Sequence, residues 1–458
     1  MPSGSASLAH PLRQRAEPRL KSFLLACALF LGLASSSPAP AKRPAQPGPS
    51  ASGPRVNLEI NGNVAAHDGQ RLHLSTDLGN VIIHTQNSGK VDYHVHLEAD
   101  ASQKDAQQLL RNFTVSAHET PDGVYFHGRT FGHQLRGRLW VTIEINAPKN
   151  FALDVWTGGG NIQTDDITGR IALSTSGGNI VAGNVAGPAR LSTDGGHITV
   201  NNVSGDLFAS TGGGHITTGS IAGGATLHTN GGHIRVAAVQ GIARLDTGGG
   251  NITLEHSGGE LLADTAGGQI EVGEASGLVR AKTGGGGIRV VRVSSPTSLE
   301  TGGGSIYLTQ VEGAVKASTE AGGITAWFVP TPKQPGMCDL QSGDGDIVVY
   351  LPRQFPVTID AQIQQGDEHR VIVDPAFPLR VIYDDASNGS RRVRAEGALN
   401  GGGQVLRLRT TAGNIRLVLS DANKQLQIYR QQMEQLQQQL AWQLRMVEQS
   451  LPGRDDCP

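Results

Sequence analysis

An 18-residue repeat between Thr157 and Val329 constrains the fold of this chain more than any other feature. Ten isoleucines recur at this period without a slip: Ile162, Ile180, Ile198, Ile216, Ile234, Ile252, Ile270, Ile288, Ile306 and Ile324. A threonine stands five residues before each isoleucine, and glycines fill most of the gap, as in Thr157-Gly158-Gly159-Gly160-Asn161-Ile162. Ten repeats at one period are typical of a solenoid, in which each repeat is one coil stacked on the last.

The residues inside each repeat indicate strands rather than helices. Leu191-Ser192-Thr193 and Ile198-Thr199-Val200 alternate between apolar and polar residues, as strands with one buried face do. Glycines would supply the positive φ angles of tight corners. We therefore predict an all-β fold, a single-stack β-solenoid (β-helix) of 18-residue coils. Each coil would contain two short strands and two glycine corners, and coils would stack about 4.8 Å apart.

Irregular coils and two insertions flank the regular coils of residues 157–329. The coil motif recurs at Thr76–Val81, Ser342–Ile347 and Thr410–Ile415. Residues 88–150 predict a small α/β insertion lobe covering the first coils, with a helix from Ser102 to Leu110 between strands. Residues 330–419 are expected to form irregular coils and a cap. The solenoid domain is thus predicted to span 55–419.

The N-terminal 41 residues have the composition of a signal peptide. A basic start precedes the apolar run Phe23–Leu33, and Ala39-Pro40-Ala41 offers a cleavage site, with Ala34-Ser35-Ser36 as the alternative. The run is shorter than the roughly 20 residues that span a bilayer, so no transmembrane span is expected in the mature chain. Residues 42–54, rich in Pro, Ala, Ser and Gly, predict a flexible linker. We expect export to the periplasm, the outer surface or the medium.

A Gln-rich helix is predicted after the last coil, over residues 420–452. Apolar residues recur there at spacings of three and four, at Leu426, Tyr429, Met433, Leu436, Leu440 and Val447. The pattern allows two interpretations, a coiled coil that forms a homo-oligomer through 424–450, or a helix that folds back to cap the solenoid. Export would also allow a disulfide between Cys338 and Cys457, which the sequence leaves open.

The sequence contains no constellation of residues that predicts catalysis or a cofactor. The acidic residues of the coils are scattered, at Asp165, Asp166, Asp194, Asp246 and Glu255. The glycine clusters lack the lysine and following helix of a phosphate-binding loop. Calcium-binding β-rolls use a repeated aspartate, which only Asp344 and Asp346 imitate, and once. The net charge of −2 gives no indication of nucleic-acid binding.

Three histidines, His197, His215 and His233, stand one coil apart, directly before the buried isoleucines. Their side chains should therefore form an outward row. Stacked imidazoles are a weak candidate for a metal site, because a straight row converges poorly on one ion and no column of carboxylates supports it. Asparagine and glutamine occupy the same column in other coils. That substitution favours a ladder of polar side chains that hydrogen-bond along the stack. No metal site is therefore predicted.

The chain resembles the putative adhesin family of bacterial exported β-solenoid domains of unknown function. The Thr-x-x-Gly-x-Ile coils carry the resemblance, together with the opening segment Leu72–Ile83, the segment Ile143–Pro148 that leads into the first regular coil, and the closing segment Gly397–Ile415. The resemblance covers residues 55–418. It implies a non-enzymatic domain outside the cytoplasm, and it supplies no catalytic or ligand-binding residues.

The expected function is therefore that of a non-enzymatic exported protein, an adhesin or a binding or structural protein of the cell envelope. Its ligand would be an envelope polysaccharide or another protein. Two alternatives remain. Parallel β-helices host carbohydrate-active enzymes, although these need clustered carboxylates or basic residues that the coils lack. A periplasmic scaffold without a ligand would have the same sequence features.

Overall fold

A computed structural model describes residues 56–100, 103–131, 137–330, 336–366, 368–385, 391–420, 427, 430–438 and 441–442. The predicted signal peptide and linker lie outside these residues. The N-terminal elements are β1 (Val56–Ala65), β2 (Arg71–Thr76), β3 (Asn80–Gln86), β4 (Lys90–Asp100), α1 (Gln103–Asn112), β5 (Phe113–Thr120), β6 (Gly123–Thr130) and β7 (Arg138–Pro148). Helix α1 and strands β4 to β7 form the α/β lobe that the sequence predicts.

Twenty short strands make up the ten regular coils, two in each coil. In chain order they are β8 (Ala152–Thr157), β9 (Ile162–Thr164), β10 (Ile171–Thr175), β11 (Ile180–Ala182), β12 (Ala189–Thr193), β13 (Ile198–Val200), β14 (Leu207–Thr211), β15 (Ile216–Ile221), β16 (Ala225–Thr229), β17 (Ile234–Val239), β18 (Ala243–Thr247), β19 (Ile252–Ser257), β20 (Leu261–Thr265), β21 (Ile270–Ala275), β22 (Val279–Thr283), β23 (Ile288–Val293), β24 (Thr297–Thr301), β25 (Ile306–Val311), β26 (Val315–Thr319) and β27 (Ile324–Phe328).

The C-terminal strands continue the stack, and helical residues follow them at 430–438 and 441–442. The strands are β28 (Cys338–Ser342), β29 (Ile347–Leu351), β30 (Val357–Ile363), β31 (Val371–Val373), β32 (Arg380–Asp385), β33 (Arg391–Leu399), β34 (Val405–Thr410) and β35 (Ile415–Leu419). In the described part of the chain, no helix has both the length and the apolar character that crossing a membrane requires.

The coils stack as two long parallel sheets, because each strand pairs with its equivalent in the next coil. Second strands form sheet A, where Ile180 lies opposite Ile198. First strands form sheet B, where Thr175 lies opposite Thr193. The isoleucine column is fully buried between the sheets. This arrangement confirms the predicted β-solenoid of 18-residue coils with an α/β lobe and a C-terminal helix.

The glycine corners of the regular array do not use positive φ angles, so that expectation was wrong. Positive φ occurs at Gly69, Gly79, Gly123, Gly137, Asn400, Gly401 and Gly402, all outside residues 157–329. The array needs glycine because its coils come very close together at one corner. A Cβ at Gly232 would overlap the carbonyl oxygen of Gly214, one coil below. The same overlap recurs at the glycine two residues before the isoleucine in every regular coil.

At the N-terminal end, the coil that comes first in the chain does not lie outermost in the stack. Strand β2 pairs in parallel with both β8 and β6, and β3 pairs in parallel with both β9 and β7. The coil made of β2 and β3 therefore lies between the first regular coil and the lobe. Antiparallel strands β5, β4 and β1 then continue the sheets outward.

The C-terminal end repeats this arrangement. Strand β34 lies between β28 and β30 in sheet B, and β35 lies between β29 and β31 in sheet A. The last coil of the chain is therefore inserted under a coil made earlier in the sequence. Antiparallel strands β33 and β32 extend sheet B beyond it. Antiparallel strands thus cover both sheets at the N-terminal end and sheet B at the C-terminal end, which limits edge-to-edge association of the coils there. In the described residues, sheet A ends at the C-terminal side on β31, which is parallel to β35.

The described part of the C-terminal helix lies on the outer face of sheet A, not over the end of the stack. Gln432 Oε1 accepts a hydrogen bond from Thr309 Oγ1 at 2.6 Å. Leu436 packs on Gly273, where an added Cβ would lie 3.1 Å from Leu436 Cδ2. Met433 and Leu436 are 9% and 6% exposed. The proposed end cap therefore has to be corrected, because these residues cover the side of three successive coils.

Candidate functional site

The structure places His197, His215 and His233 in a stacked row. Their ring centroids are 4.9 and 4.8 Å apart, and their planes are tilted by 18° and 14°. Each Nδ1 accepts a hydrogen bond from a backbone N–H of the next coil. His215 N lies 2.9 Å from His197 Nδ1, His233 N lies 2.9 Å from His215 Nδ1, and Asn251 N lies 2.8 Å from His233 Nδ1. The row is therefore part of the stack's own hydrogen bonding.

Asparagines in the same column make the same bond. Asn179 N donates to Asn161 Oδ1 at 2.8 Å, and His197 N donates to Asn179 Oδ1 at 2.7 Å. Gln269 N donates to Asn251 Oδ1 at 2.9 Å. Histidine and asparagine are thus interchangeable here as hydrogen-bond acceptors. This column forms the polar ladder that the substitution pattern favours.

The hydrogen bonds determine which nitrogen of each ladder histidine carries the proton. A backbone N–H can only donate, so Nδ1 holds a lone pair and the proton of the neutral ring lies on Nε2. Neither nitrogen then has a free lone pair for a metal ion, which binds the unprotonated nitrogen of neutral histidine. A metal bound to His197, His215 and His233 would have to replace a backbone hydrogen bond in each coil.

The surroundings of the row also favour the neutral form. Partial burial, together with repulsion from His197, His233 and Arg235, lowers the pKa of His215 from 6.5 to about 4. Burial lowers the pKa of His233 as well, with a contribution from Arg235. Protonation would also put a second N–H opposite the backbone N–H, so the hydrogen bond to Nδ1 favours the neutral ring as well.

The hydroxyls of the threonine column also form hydrogen bonds with the backbone. Thr229 Oγ1 donates to Gly214 O at 2.8 Å and accepts from Gly232 N at 3.1 Å. The same pair of bonds recurs at Thr175, Thr193, Thr211, Thr247, Thr265, Thr283, Thr301 and Thr319. These hydroxyls are buried and hold the glycine corner of one coil against the next.

Acidic residues considered for catalysis lie in separate contacts on separate coils. Asp165 Oδ2 lies 3.1 Å from His84 Nδ1, and Asp246 Oδ1 lies 2.7 Å from His228 Nδ1. Burial raises the pKa of Glu255. Because Asp165 and Asp246 each engage a histidine of the adjacent coil, they stabilise neighbouring strands rather than face a common substrate.

Two further acids belong to the polar ladders. Asp166 Oδ1 accepts from Asn184 N at 2.7 Å. Asp346, one of the two residues weighed for calcium, accepts from Asn414 N at 2.7 Å through Oδ1, and its Oδ2 lies 3.6 Å from Arg416. The carboxylate of Asp346 thus takes the place that asparagine and histidine occupy in the regular coils.

Cys338 is a buried thiol in the first strand of an irregular coil. Its Sγ lies 3.5 Å from Gly336 O, and burial raises its pKa to about 11. The high pKa leaves little thiolate at neutral pH, so the residue is poorly suited to nucleophilic chemistry. Cys457 lies outside the described residues, and the disulfide stays a prediction.

A groove on the outer face of sheet B was not singled out from the sequence. The groove crosses five successive coils and has a volume of about 710 Å³. Within a coil, its lining extends from the residue before the first strand to the second residue of that strand. The side chains that give it its character are Arg170, Pro188, Arg190, Phe208, Ile242 and Arg244. We call it the basic groove.

The basic groove combines unpaired cations with apolar surface. The Arg190 guanidinium carbon lies 4.3 Å from the centre of the Phe208 ring. Across the described part of the chain, Arg170, Arg190 and Arg244 form no ion pair with a carboxylate, although arginines elsewhere on the stack do. Asp206 is the acidic residue of the lining, and its Oδ1 already accepts from a backbone N–H at 2.7 Å.

A second outward column runs beside the basic groove on the same sheet. It contains the residue before the last threonine of each first strand, in register from coil to coil: Trp156, Ser174, Ser192, Ser210 and His228. Trp156 is 42% exposed. The face therefore presents arginines, aromatic rings and hydroxyls in rows that run parallel to the stack.

Comparisons with solved structures find similar proteins at low sequence identity. A putative cell adhesion protein from Clostridium sporogenes is 8% identical, over 80% of this chain and 100% of that chain, with a TM-score of 0.17. A putative adhesin from Parabacteroides distasonis is 14% identical, over 50% of this chain and 94% of that chain, with a TM-score of 0.24. Another from Parabacteroides merdae is 12% identical, over 61% and 97%, with a TM-score of 0.22. TM-scores this low carry no argument about function.

No curated protein matches the chain significantly. A protein-family model does match, described as Toastrack DUF4097, over residues 70–418. The matched range takes in the irregular coil at β2, all ten regular coils and the last coil at β34 and β35. It also agrees with the resemblance that the coil motif indicates. The chain belongs to the Toastrack DUF4097 family.

Proposed function

We propose that this protein is a non-enzymatic binding protein of the bacterial cell envelope, adhesin-like in that its rod of coils presents a surface to a ligand. One observation carries the proposal. The groups that could perform chemistry in the coils are held by hydrogen bonds between coils, as in the rows through His215 and Thr229. The outer face of sheet B instead leaves cations and aromatic rings open to solvent.

Export is the second part of the proposal, and it rests on the sequence. The basic start, the apolar run Phe23–Leu33 and the small residues at 39–41 together direct a chain through a bacterial inner membrane. The destination is the periplasm, the outer surface or the medium. The ligand is an envelope polysaccharide or protein, and the segment 424–450 is a candidate for contacts between copies.

Protease shaving of intact cells tests the destination. An antibody against residues 157–329 would follow the array before and after treatment. We expect loss of the signal from intact cells, which would place the rod on the surface. Protection in intact cells with loss after opening the outer envelope would replace the adhesin by a periplasmic scaffold. Protection until the cytoplasm is opened would overturn the proposal.

A further inference from the structure

We propose that the basic groove binds a linear acidic polysaccharide, one whose sugars carry carboxylates, lying parallel to the stack of coils. The inference rests on the proposed function and names the ligand class for it. Its basis is the juxtaposition of Arg170, Arg190 and Arg244 with the Phe208 ring and the exposed Ile242 on one face of sheet B.

Charge is the first argument. Three arginines without a carboxylate partner line a groove whose acidic residue, Asp206, is already bonded to the backbone. Guanidinium groups bind carboxylates through two parallel hydrogen bonds, which gives both strength and orientation. The whole sequence has a net charge of −2, so this local excess of positive charge is opposite in sign to the charge of the protein as a whole. An anionic ligand fits it.

The dimensions of the groove favour a linear polymer. Five coils at the usual strand spacing give a length of about 19 Å between the first and last. Arg190 and Arg244 occupy the same column three coils apart, with Phe208 and Thr226 between them. Two cations about 14 Å apart are therefore separated along one line by an aromatic ring and a hydroxyl. A chain of acidic sugars offers complementary groups along its length, because each ring has carboxylate and hydroxyl edges and apolar C–H faces.

Polar groups beside the groove fit a saccharide better than a polypeptide. The Ser174, Ser192 and Ser210 column supplies hydroxyls at the spacing of the coils, and Trp156 ends it with an exposed ring. An acidic polypeptide usually binds a sheet by adding a strand to a free edge. The strands under the groove have both edges paired with neighbouring coils, so a polypeptide cannot add a strand there.

Binding of defined polymers to the full chain, purified after export, tests the proposal. The probes are polygalacturonate, the neutral polymer dextran, and poly-L-glutamate, measured by isothermal titration calorimetry at physiological salt. The groove variant is Arg170→Gln/Arg190→Gln/Arg244→Gln. Its control, Arg129→Gln/Lys316→Gln/Arg353→Gln, removes the same charge from exposed bases outside the groove. Circular dichroism checks that both variants fold.

We expect polygalacturonate to bind and dextran not to bind. The groove variant should bind at least about tenfold more weakly, since it loses charge-assisted hydrogen bonds, while the control stays within about twofold of the original. Arg244→Gln alone, a change of one exposed side chain, should show a severalfold loss even if the triple variant folds poorly.

Three results would overturn the inference: no binding of polygalacturonate, equal losses in the groove and control variants, or equally tight binding of poly-L-glutamate. The last would make the site one for acidic polypeptides. None of these depends on where the protein resides, so the outcome of protease shaving remains a separate test of the proposed function.

Discussion

Three nearby residues with different tasks hold one corner of the coils in the histidine row. In the coil that begins at Thr229, the threonine hydroxyl bridges two glycines, Gly232 makes room for the coil below, and His233 accepts a backbone N–H from the coil above. The glycine between them, Gly231, has no atom near the position where a Cβ would stand. Adjacent glycines in one motif therefore have very different tolerance to substitution.

Substituting alanine at Gly231 and at Gly232 separately should demonstrate this difference. Gly232→Ala would push a methyl group into the carbonyl oxygen of Gly214, and we expect it to destabilise the fold by about 3 kcal/mol. Gly231→Ala should change stability by less than about 0.5 kcal/mol, because it faces open space, and alanine already occurs at the equivalent Ala321. Urea unfolding followed by circular dichroism measures both. Equal effects at the two positions would contradict the close approach of the coils.

The row of histidines makes stability depend on pH. The pKa of His215 falls from 6.5 to about 4 on folding, so between those values the unfolded chain binds a proton that the folded chain does not. The contribution of His215 to stability should therefore be complete above pH 6.5, decrease as the pH falls toward 4, and be lost below that. Because His215 is partly exposed, we expect its contribution to be about 1 kcal/mol.

His215→Asn is the matched control for this titration, since asparagine makes the same acceptor bond at Asn179. The variant should keep the stability of the original at pH 7 and lose part of the decrease below pH 6.5. His215→Leu should be destabilised at both values, because it leaves the N–H of His233 without its acceptor. Urea midpoints at pH 7 and pH 5 distinguish the three proteins. An unchanged pH dependence in His215→Asn would exclude the row as its source.

At the scale of elements, sheet A has an outward column that the C-terminal helix covers. It contains the fourth residue of each six-residue second strand, including Gly273, Val291 and Thr309. Val291 and Thr309 are 2% and 1% exposed although they lie on the outer face. Gly273 accommodates Leu436, and its own Cβ would also overlap the backbone oxygen of Glu255. The described part of the helix thus packs on a specific surface at the side of the stack.

Leu436→Asp should detach the helix without unfolding the coils. Position 436 is 6% exposed and lies against Gly273, so a carboxylate there would remove the apolar contact and bury a charge in the bound state. We expect hydrogen exchange at residues 430–438 to become fast while exchange in the isoleucine strands stays slow. Gln437→Asp, at an exposed position on the same helix, is the control and should leave both unchanged. Fast exchange throughout the array in Leu436→Asp would show instead that the helix is required for folding.

The sequence predicts the coils well and the contacts on their outer faces poorly. The register of β9 to β27 follows from one column of isoleucines, because each coil repeats the same buried positions. Strand β1, which no repeat marks, was not predicted. The basic groove was missed too, although aligning the repeats places Arg190, Phe208 and Arg244 in one outward column. Outward residues differ from coil to coil. The period of the repeat therefore predicts which side chains point outward, but it does not predict which of these side chains contact one another.

The position of the C-terminal helix could not be derived from its own spacing. Apolar residues at intervals of three and four predict one buried face of a helix, and Met433 and Leu436 do lie on such a face. The same spacing fits a coiled coil, an end cap or a side contact equally well. The side contact is favoured because Gly273, on the outer face of sheet A, leaves room for Leu436. That room becomes apparent only once the coils are stacked.

At the scale of the whole molecule, both ends of the stack are interlocked. The coil of β2 and β3 is enclosed by β8 and β9 on one side and by β6 and β7 on the other, and the coil of β34 and β35 is enclosed in the same way. Solenoids usually lose their terminal repeats first, because each of those contacts one neighbour. Here the coils nearest the chain ends contact two. The end assemblies should therefore be the indispensable parts and the regular coils between them the replaceable ones.

Removing one regular coil tests that division. Deletion of residues 211–228 joins Ser210 to Thr229, which replaces one threonine corner by its equivalent and leaves both end assemblies intact. We expect a folded protein whose melting temperature lies within about 5 °C of the original, since a single nearest-neighbour interface is lost from a long stack. Deletion of residues 211–219, half a coil, should prevent folding beyond that point, because the Thr–Gly bonds would lose register. Ile234 would then fall at the position of Ala225, so the strands of one sheet would be stacked on those of the other. Circular dichroism, size-exclusion chromatography and thermal melting compare the two. If the whole-coil deletion failed as badly as the half-coil deletion, the regular coils would not be equivalent units, and the fold would depend on their exact number.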